Sequence, residues 1–449
     1  MMGSFDSKVG KMKKIRVGLI GFGTVGKSVY RALSENTVEV NSRLGNKAVI
    51  ELTSICIRNQ EKYDSFCDSK IKIFRDPFAL LDSDTDIIIE VIGGTNIAKK
   101  IITKALGKKQ HVVTANKELI ALHGGELFGL AELNSVSLSF EAAVAGGIPI
   151  IKALREGLGG NKIKLVAGII NGTTNYILTQ MQKDRSDFQT SLKVAVEKGF
   201  AEQDPSFDID GIDAAHKLTI ISAISYGVDF QFKKVFCQGI SKIELRDIDF
   251  ARKFGYCVKL LGIAKLTDIG IELRVHPALV PERSLMSKID GAMNGILVVG
   301  DIVGSTIYYG AGAGGDPTAS AVISDVLDIA QKKALGVKSF PTFKKQARAN
   351  GVHKILDVEQ IKTAYYLRLS VDDQVGVMSD VTKILAFFKI SIEAMFQGEP
   401  SSAQDAVDVV IITHKTTEGS IRRALFDINK LSHVKGDVRL IRIESLDLK

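Results

Sequence analysis

The chain lacks any run of about 18 continuously apolar residues, the length a membrane-spanning helix requires, so no membrane span is expected. It also lacks tandem repeats and low-complexity tracts, which argues against solenoid and fibrous architectures. Cysteine is scarce. Cys56, Cys67, Cys237 and Cys257 are scattered, none forms a Cys-x-x-Cys pair, and none has metal-ligand spacing with histidine. Reduced thiols in a cytoplasmic protein fit that usage. Met1 to Lys14 is polar and lysine-bearing with no apolar stretch behind it, so it reads as a flexible tail rather than a secretory signal. The net charge of +8 is dispersed, with its densest run at Lys11–Lys14. No nucleic-acid motif accompanies it, so the charge reads as a solvated surface biased towards small anionic ligands.

What is present is an ordinary globular balance, 45% hydrophobic and 24% charged, over 449 residues. That length suggests two to four domains. Ile15–Ile20 is a short apolar run ending in glycines. Val25, Val29, Ala32 and Leu33 then recur at helical spacing. Val49–Ile57, Ile87–Ile92, His111–Thr114 and Val136–Phe140 read as further strands, with helices between them such as 97–106. Alternating strands and helices predict a parallel, doubly wound α/β sheet. Beyond about residue 150, strands at 163–170, 258–266, 271–280 and 296–303 with interspersed helices predict an α+β domain. The glycine cluster 310–315 leads into a helix at about 318–335. Residues 341–351 are polar and basic and read as a linker. From Tyr365, strands at 366–371, 390–397, 407–413 and 438–443 alternate with two helical stripes, which is the βαββαβ order of a ferredoxin-like unit.

Gly21-Phe22-Gly23-Thr24-Val25-Gly26 follows a strand and opens a helix, the context that gives a G-x-G-x-x-G pattern meaning. Gly21 permits the tight turn, Gly23 lets the backbone approach a pyrophosphate at the helix N-terminus, and Gly26 allows close helix–strand packing. NAD-preferring folds place an acid after the second strand. Here Ile57 is followed by Arg58, whose charge and fork geometry suit a 2′-phosphate. NADP is therefore favoured; the alternative is that Arg58 is an ordinary surface residue and NAD serves equally. Gly93-Gly94-Thr95 sits at the carboxyl end of the buried third strand, where ligands bind in such sheets.

The segment from Gly199 to Lys217 crowds Glu202, Asp204, Asp208, Asp210 and Asp213 around a turn carrying Pro205 and Gly211. Asp213 and Lys217 are four apart, so a helix puts them on one face. The bland alternative is a solvated acidic turn with a surface ion pair. Val113-Thr114-Ala115-Asn116-Lys117-Glu118 places another lysine just after a strand, at a helix N-terminus whose dipole does not favour it.

These segments together resemble homoserine dehydrogenases over nearly the whole chain. The resemblance implies that Lys117 lies between cofactor and substrate, and that Glu202, Asp208 and Asp213 bind the amino-acid substrate. It implies that Lys217 transfers the proton, with Lys117 and Asp213 completing the catalytic set. It also implies that Thr95 and Gly314 join the glycine loop at the cofactor. Glu141-Ala-Ala-Val144-Ala-Gly146-Gly147-Ile148 resembles the family's monovalent-cation segment. There a sodium-like ion is held by the glutamate and by backbone carbonyls, carried over here onto Glu141, Val144, Gly146 and Ile148; oxygen ligands suit a hard cation. The alternative is a glycine-rich hinge. Gln203 and Asn96-Ile97 depart from the family pattern without removing a catalytic group.

Residues 361–449 resemble an ACT domain, carried by Leu369-Ser370-Val371-Asp372-Asp373-Gln374-Val375-Gly376-Val377-Met378. Val375 stands where relatives usually have proline. The resemblance implies threonine as effector and a homo-oligomer, a dimer or tetramer. The domains expected are a tail at 1–14 and a Rossmann domain at 15–142 completed by about 312–340. A catalytic and dimerisation domain at 143–311, a linker at 341–360 and the ACT unit at 361–449 follow. The competing readings are another Rossmann amino-acid dehydrogenase and a catalytically silent amino-acid sensor. A phosphorylating semialdehyde dehydrogenase needs a cysteine nucleophile with a partner base, and no cysteine here has that setting.

Overall fold

The computed structural model describes residues 12–45, 47–58, 70–337, 343, 354–398 and 406–446. The tail before residue 12, Cys67 and most of the 341–360 linker lie outside the described residues. The chain divides into two compact units.

The first unit is drawn from Met1–Gly159, Ala223–Gln231 and Ala311–Ala347. Its strands are β1 (Lys13–Ile20), β2 (Ala48–Cys56), β3 (Lys72–Phe74), β4 (Ile87–Glu90), β5 (His111–Thr114) and β6 (Leu138–Ser139). They form a six-stranded sheet in the order β3-β2-β1-β4-β5-β6, and every pairing is parallel. This is the doubly wound dinucleotide-binding order, with its switch point between β1 and β4. β4 and β5 are buried at every residue, which is why neither alternates between apolar and polar positions along its length. The helix Thr24–Glu35 turns Gly26, Val29 and Leu33 inward, at the spacing of one helical face. Its Val29 joins a core with Ile15, Val17, Leu19, Ile87 and Ile89. The same core contains Ala319, Val322, Val326 and Ile329 from the helix Gly315–Ala334. The chain thus leaves at Gly159, returns briefly over Ala223–Gln231, and comes back from Ala311 to finish its first unit. Two glycines allow close packing here, Gly26 of the early helix on its own loop and Gly315 of the late helix on the early one. A Cβ on Gly26 would sit 2.1 Å from the Gly21 carbonyl oxygen, and one on Gly315 would sit 2.5 Å from Ser28 Oγ.

The second unit is drawn from Gly160–Ser222, Phe232–Gly310 and Arg348–Lys449. Its remaining strands are β7 (Ile163–Ile169), β8 (Phe236–Cys237), β9 (Tyr256–Thr267), β10 (Gly270–Pro281), β11 (Met293–Gly300), β12 (Gly304–Ala311), β13 (Lys362–Asp372), β14 (Ile392–Gln397), β15 (Ala406–Thr413), β16 (Thr416–Thr417) and β17 (Arg439–Ile443). The sheet runs β12-β11-β7-β9-β10-β17-β13-β15-β14. The C-terminal stretch has the βαββαβ order, with helices Val377–Phe387 and Glu418–Ile428 sharing an apolar core with β13 and β15. It does not form a sheet of its own. β17 pairs with β10 through Ala278↔Arg442 and Leu279↔Ile443, which makes one sheet of both parts. Buried ion pairs reinforce the seam: Arg274 of β10 bonds Glu272 at 2.9 Å and pairs with Glu444 just beyond β17. The helix Leu245–Lys253 is tied to the same module, Asp247 meeting Arg368 at 2.5 Å and Glu244 meeting Arg439 at 2.7 Å.

Some expectations shift. β6 covers only Leu138–Ser139 where the apolar pattern predicts 136–140. Ser137 spends its N–H on His111 Nδ1, and Phe140 already leads into the 3-10 turn at Glu141–Ala143. β11 stops at Gly300, and residues 301–303 turn into β12, an unanticipated strand whose alternation is weak because much of it faces solvent.

Candidate active site

In the first unit, the loop after β1 has the geometry a dinucleotide needs. Gly21 adopts φ +107, open only to glycine without strain. Gly23 is exposed and a Cβ there would meet nothing within 4 Å, so the backbone stands open where a pyrophosphate must approach. Gly23 caps the helix Thr24–Glu35 with no side-chain hydrogen bond, and no acid occupies the first turn. Its first N–H groups and the positive end of its dipole therefore suit an anion. Phe22 packs edge-on against Tyr30, and Val25 lies against the core. Arg58 is exposed just past β2, with no acid in its place. Gly314 adopts φ +117 as the cap of the helix Gly315–Ala334.

Sequence reasoning missed the residue that organises the second loop. Glu90 ends β4 fully buried. One oxygen accepts from Ile92 N (2.8 Å) and Gly93 N (3.2 Å), the other from the Thr114 hydroxyl (2.6 Å). Burial pushes its carboxyl up, against these hydrogen bonds. Asn116 Nδ2 donates to Gly94 O at 2.7 Å, while its Oδ1 caps the helix Lys117–Leu133 by accepting from Leu119 N. The Gly93-Gly94-Thr95 turn, with φ near +70 at both glycines, is thus clamped from Glu90 and Asn116. Thr95 caps the helix Asn96–Gly107, and Lys117 is the first residue of its own helix, half-buried. The available signal was an acid ending the run Ile87-Ile88-Ile89.

Glu141 is buried and opens a 3-10 turn. Its carboxylate accepts from Ile151 N and Lys152 N, each at 2.9 Å, and its own N–H donates to Asp325 Oδ2 at 2.8 Å. Burial, then the neighbouring Asp325, raises its carboxyl to about 7. Ala145 and Gly146 both adopt positive φ, which bends the 144–148 backbone sharply. A Cβ on Gly146 would approach Gly312 O to 3.0 Å. A carboxylate and backbone carbonyls are the oxygen donor type a hard cation takes, and here the Ile148 carbonyl also accepts from Ile150 N at 2.8 Å. Among the described residues, no group of three or more His, Cys, Asp or Glu side chains suits a metal.

In the second unit, the helix Ile212–Tyr226 carries Asp213 and Lys217, both buried. Lys217 Nζ donates to Asp213 Oδ2 at 2.7 Å and to the Ile170 carbonyl at 2.8 Å. Asn171 Nδ2 bridges two carboxylates, donating to Asp213 Oδ2 at 2.8 Å and Asp208 Oδ1 at 2.6 Å. Its Oδ1 meanwhile caps the helix Gly172–Asp184 by accepting from Thr174 N. Burial, then the charge of Asp213, raises the Asp208 carboxyl. Glu202 is exposed in the loop before Pro205, Asp204 caps Ser206 N, and Asp210 is exposed. The structure therefore gathers Asp208, Asp213 and Lys217 into one hydrogen-bonded set, and places Glu202 outside that set.

A doubly wound sheet with an open glycine loop at its switch point defines a dinucleotide-binding protein. Residues 21–141 match the family model described as homoserine dehydrogenase, NAD binding domain, and residues 149–327 match the one described as homoserine dehydrogenase. A homoserine dehydrogenase of Neisseria gonorrhoeae is 45% identical over 437 residues, covering 97% of this chain and 100% of that protein. The crystal structure of a homoserine dehydrogenase from Thiobacillus denitrificans superposes with a TM-score of 0.91 at 45% identity, covering 97% of this chain and 99% of that one. A hyperthermophilic archaeal homoserine dehydrogenase in complex with NADPH has a TM-score of 0.61 at 28% identity, covering 74% of this chain and 100% of that one. The chain belongs to the homoserine dehydrogenase family. No helix among the described residues is long and apolar enough to cross a membrane.

Proposed function

We propose that the enzyme interconverts L-aspartate 4-semialdehyde and L-homoserine, using NADP in preference to NAD. This places it in threonine, methionine and isoleucine biosynthesis in the cytoplasm. The observation that carries the reading is the buried Lys217–Asp213 pair, tied through Asn171 to Asp208. Asp208 and the exposed Glu202 supply negative charge for the substrate ammonium group. Asp213 and the Ile170 carbonyl aim the Lys217 ammonium. The bound nicotinamide supplies or takes the hydride. Lys217 gives a proton to the oxygen as the aldehyde is reduced and takes it back from the hydroxyl in the reverse direction. Lys117 balances negative charge at the head of its helix. Arg58 supports the NADP preference, since no acid at that position competes for the ribose.

Glu141, Val144, Gly146 and Ile148 are proposed to hold a sodium-like cation, which would brace the loop between β6 and residue 150. The C-terminal unit is proposed to be an ACT module sensing threonine, supported by its βαββαβ order. Val375, in the loop ahead of the helix Val377–Phe387, is fully exposed. A homo-oligomer is supported by exposed Ile302, Ile307 and Tyr309 at the β12 edge. The test is absorbance at 340 nm with homoserine and NADP or NAD, repeated with threonine added. Absence of homoserine-dependent reduction of either cofactor refutes the reading. An unchanged rate with threonine removes the effector.

A further inference from the structure

The turn that carries Asp208 is short and needs support from outside itself. It comprises the helix Ser206–Ile209, too short to stand alone, and Gly211 at φ +85. Its support is the segment from Phe236 to Ile240. Cys237 Sγ donates to Asp210 O at 3.2 Å, and Ile240 N donates to Ile209 O at 2.9 Å. A Cβ on Gly239 would fall 2.2 Å from Ile209 O and 2.6 Å from the Asp210 Cα, so the two backbones are in direct contact.

That supporting segment is itself weak. β8 has only two residues, paired to Arg274 and Val275 of β10, against the five or six of an ordinary strand. It is held from the C-terminal module. Gln238 Oε1 accepts from Arg442 Nη1 at 2.9 Å, and the Arg442 guanidinium lies 4.7 Å from the Phe236 ring centroid. Arg442 is fully buried, bonded through Nε to Glu418 Oε2 at 2.9 Å; the same oxygen accepts from Tyr365 at 3.0 Å. Arg442, Glu418 and Tyr365 lie on β17, the helix Glu418–Ile428 and β13. On the other side, the turn delivers Asp208 to Asn171, and Asn171 joins it to Asp213 and Lys217.

We propose that Gln238 and Arg442 are positioning residues for substrate binding: through the 236–240 segment they fix the turn that holds Asp208. This rests on the reading that Asp208 recognises the substrate. It makes the C-terminal module a part of the substrate site with no effector present.

The test is steady-state kinetics of Gln238→Leu, which keeps the side-chain bulk and removes the acceptor. A carboxylate displaced by a fraction of an ångström binds less well, so KM for homoserine should rise about five- to tenfold. KM for NADP should stay within about twofold, since no residue of the dinucleotide unit is altered. Gln238→Glu keeps an acceptor beside Arg442 and should restore KM for homoserine to the wild-type value. Gln238→Asn, too short to reach, should behave like the leucine variant and covers the case in which that variant does not fold. An unchanged KM for homoserine in the leucine and asparagine variants overturns the proposal. So does an equal rise in both KM values, or a glutamate variant that is no better than leucine. A wild-type enzyme inactive on homoserine would instead refute the proposed function.

Discussion

Lys217 has hydrogen-bond partners on two sides, Asp213 and the Ile170 carbonyl, and the third of its N–H groups is the one that the proposed reaction would turn to the substrate oxygen. Lys217→Ala should lower kcat by about 10³-fold, the scale of a lost proton-transfer group. NADPH binding, followed by its fluorescence, should be unchanged; turnover at the wild-type rate would remove the assigned role. Asp208 sits where burial and Asp213 both oppose its charge. A raised carboxyl means the folded state holds the proton more tightly than the unfolded chain. That contribution to stability is complete below the ordinary carboxylate pKa of about 4 and is lost as pH rises through the higher folded value. Asp208→Asn should therefore raise the melting temperature at pH 7 and leave it unchanged near pH 4, while weakening homoserine binding. Equal melting temperatures at both pH values would contradict the assignment of charge to that site.

The loop clamped by Glu90 makes its own prediction. Glu90→Ala leaves the Ile92 and Gly93 N–H groups and the Thr114 hydroxyl without their acceptor, at about 1–3 kcal/mol for each buried group. KM for the cofactor should rise clearly more than KM for homoserine, and an unaltered cofactor KM would show the clamp to be dispensable. A cation at the Glu141 loop, as proposed, would act on stability together with pH. With its carboxyl at about 7, the contribution of Glu141 to stability is complete below 4.5 and disappears as pH rises through about 7. A bound cation favours the charged form. Sodium chloride should therefore raise the melting temperature at pH 8 relative to choline chloride at equal ionic strength, and have no such effect at pH 5.5; no sodium-specific shift at pH 8 would remove the proposed site. Elements of this kind differ in how legible they are. β5 coincides with the predicted His111–Thr114, and β9 and β10 extend the predicted spans by a residue or two, because long apolar runs announce buried strands. The Lys217–Asp213 pair is legible too, since helical spacing dictates it. Glu90 is not. Its importance lies in which backbone N–H groups and hydroxyl the fold brings opposite it, and no local pattern encodes that. β8 and β16 are two residues each and leave no period to read.

At the scale of the molecule, the second unit is stitched across β10 and β17 by charges buried in a sheet. Glu444→Ala leaves Arg274 with Glu272 as its remaining carboxylate in a buried setting. Removing one partner of such a set costs about 3 kcal/mol, read as a lower urea midpoint; an unchanged midpoint would mean the seam does not need that pair. The same unit interrupts its neighbour. The core of the first unit takes its strands from the opening of the chain and Ala319, Val322, Val326 and Ile329 from near residue 325. A ribosome adding roughly 5–20 residues per second needs on the order of tens of seconds to span that gap. Throughout that time the nascent sheet has one apolar face that the early helix Thr24–Glu35 covers without its late partner. The polypeptide must therefore be born into a period of vulnerability, and its yield in a cell depends on what shelters the first strands until the late helix arrives.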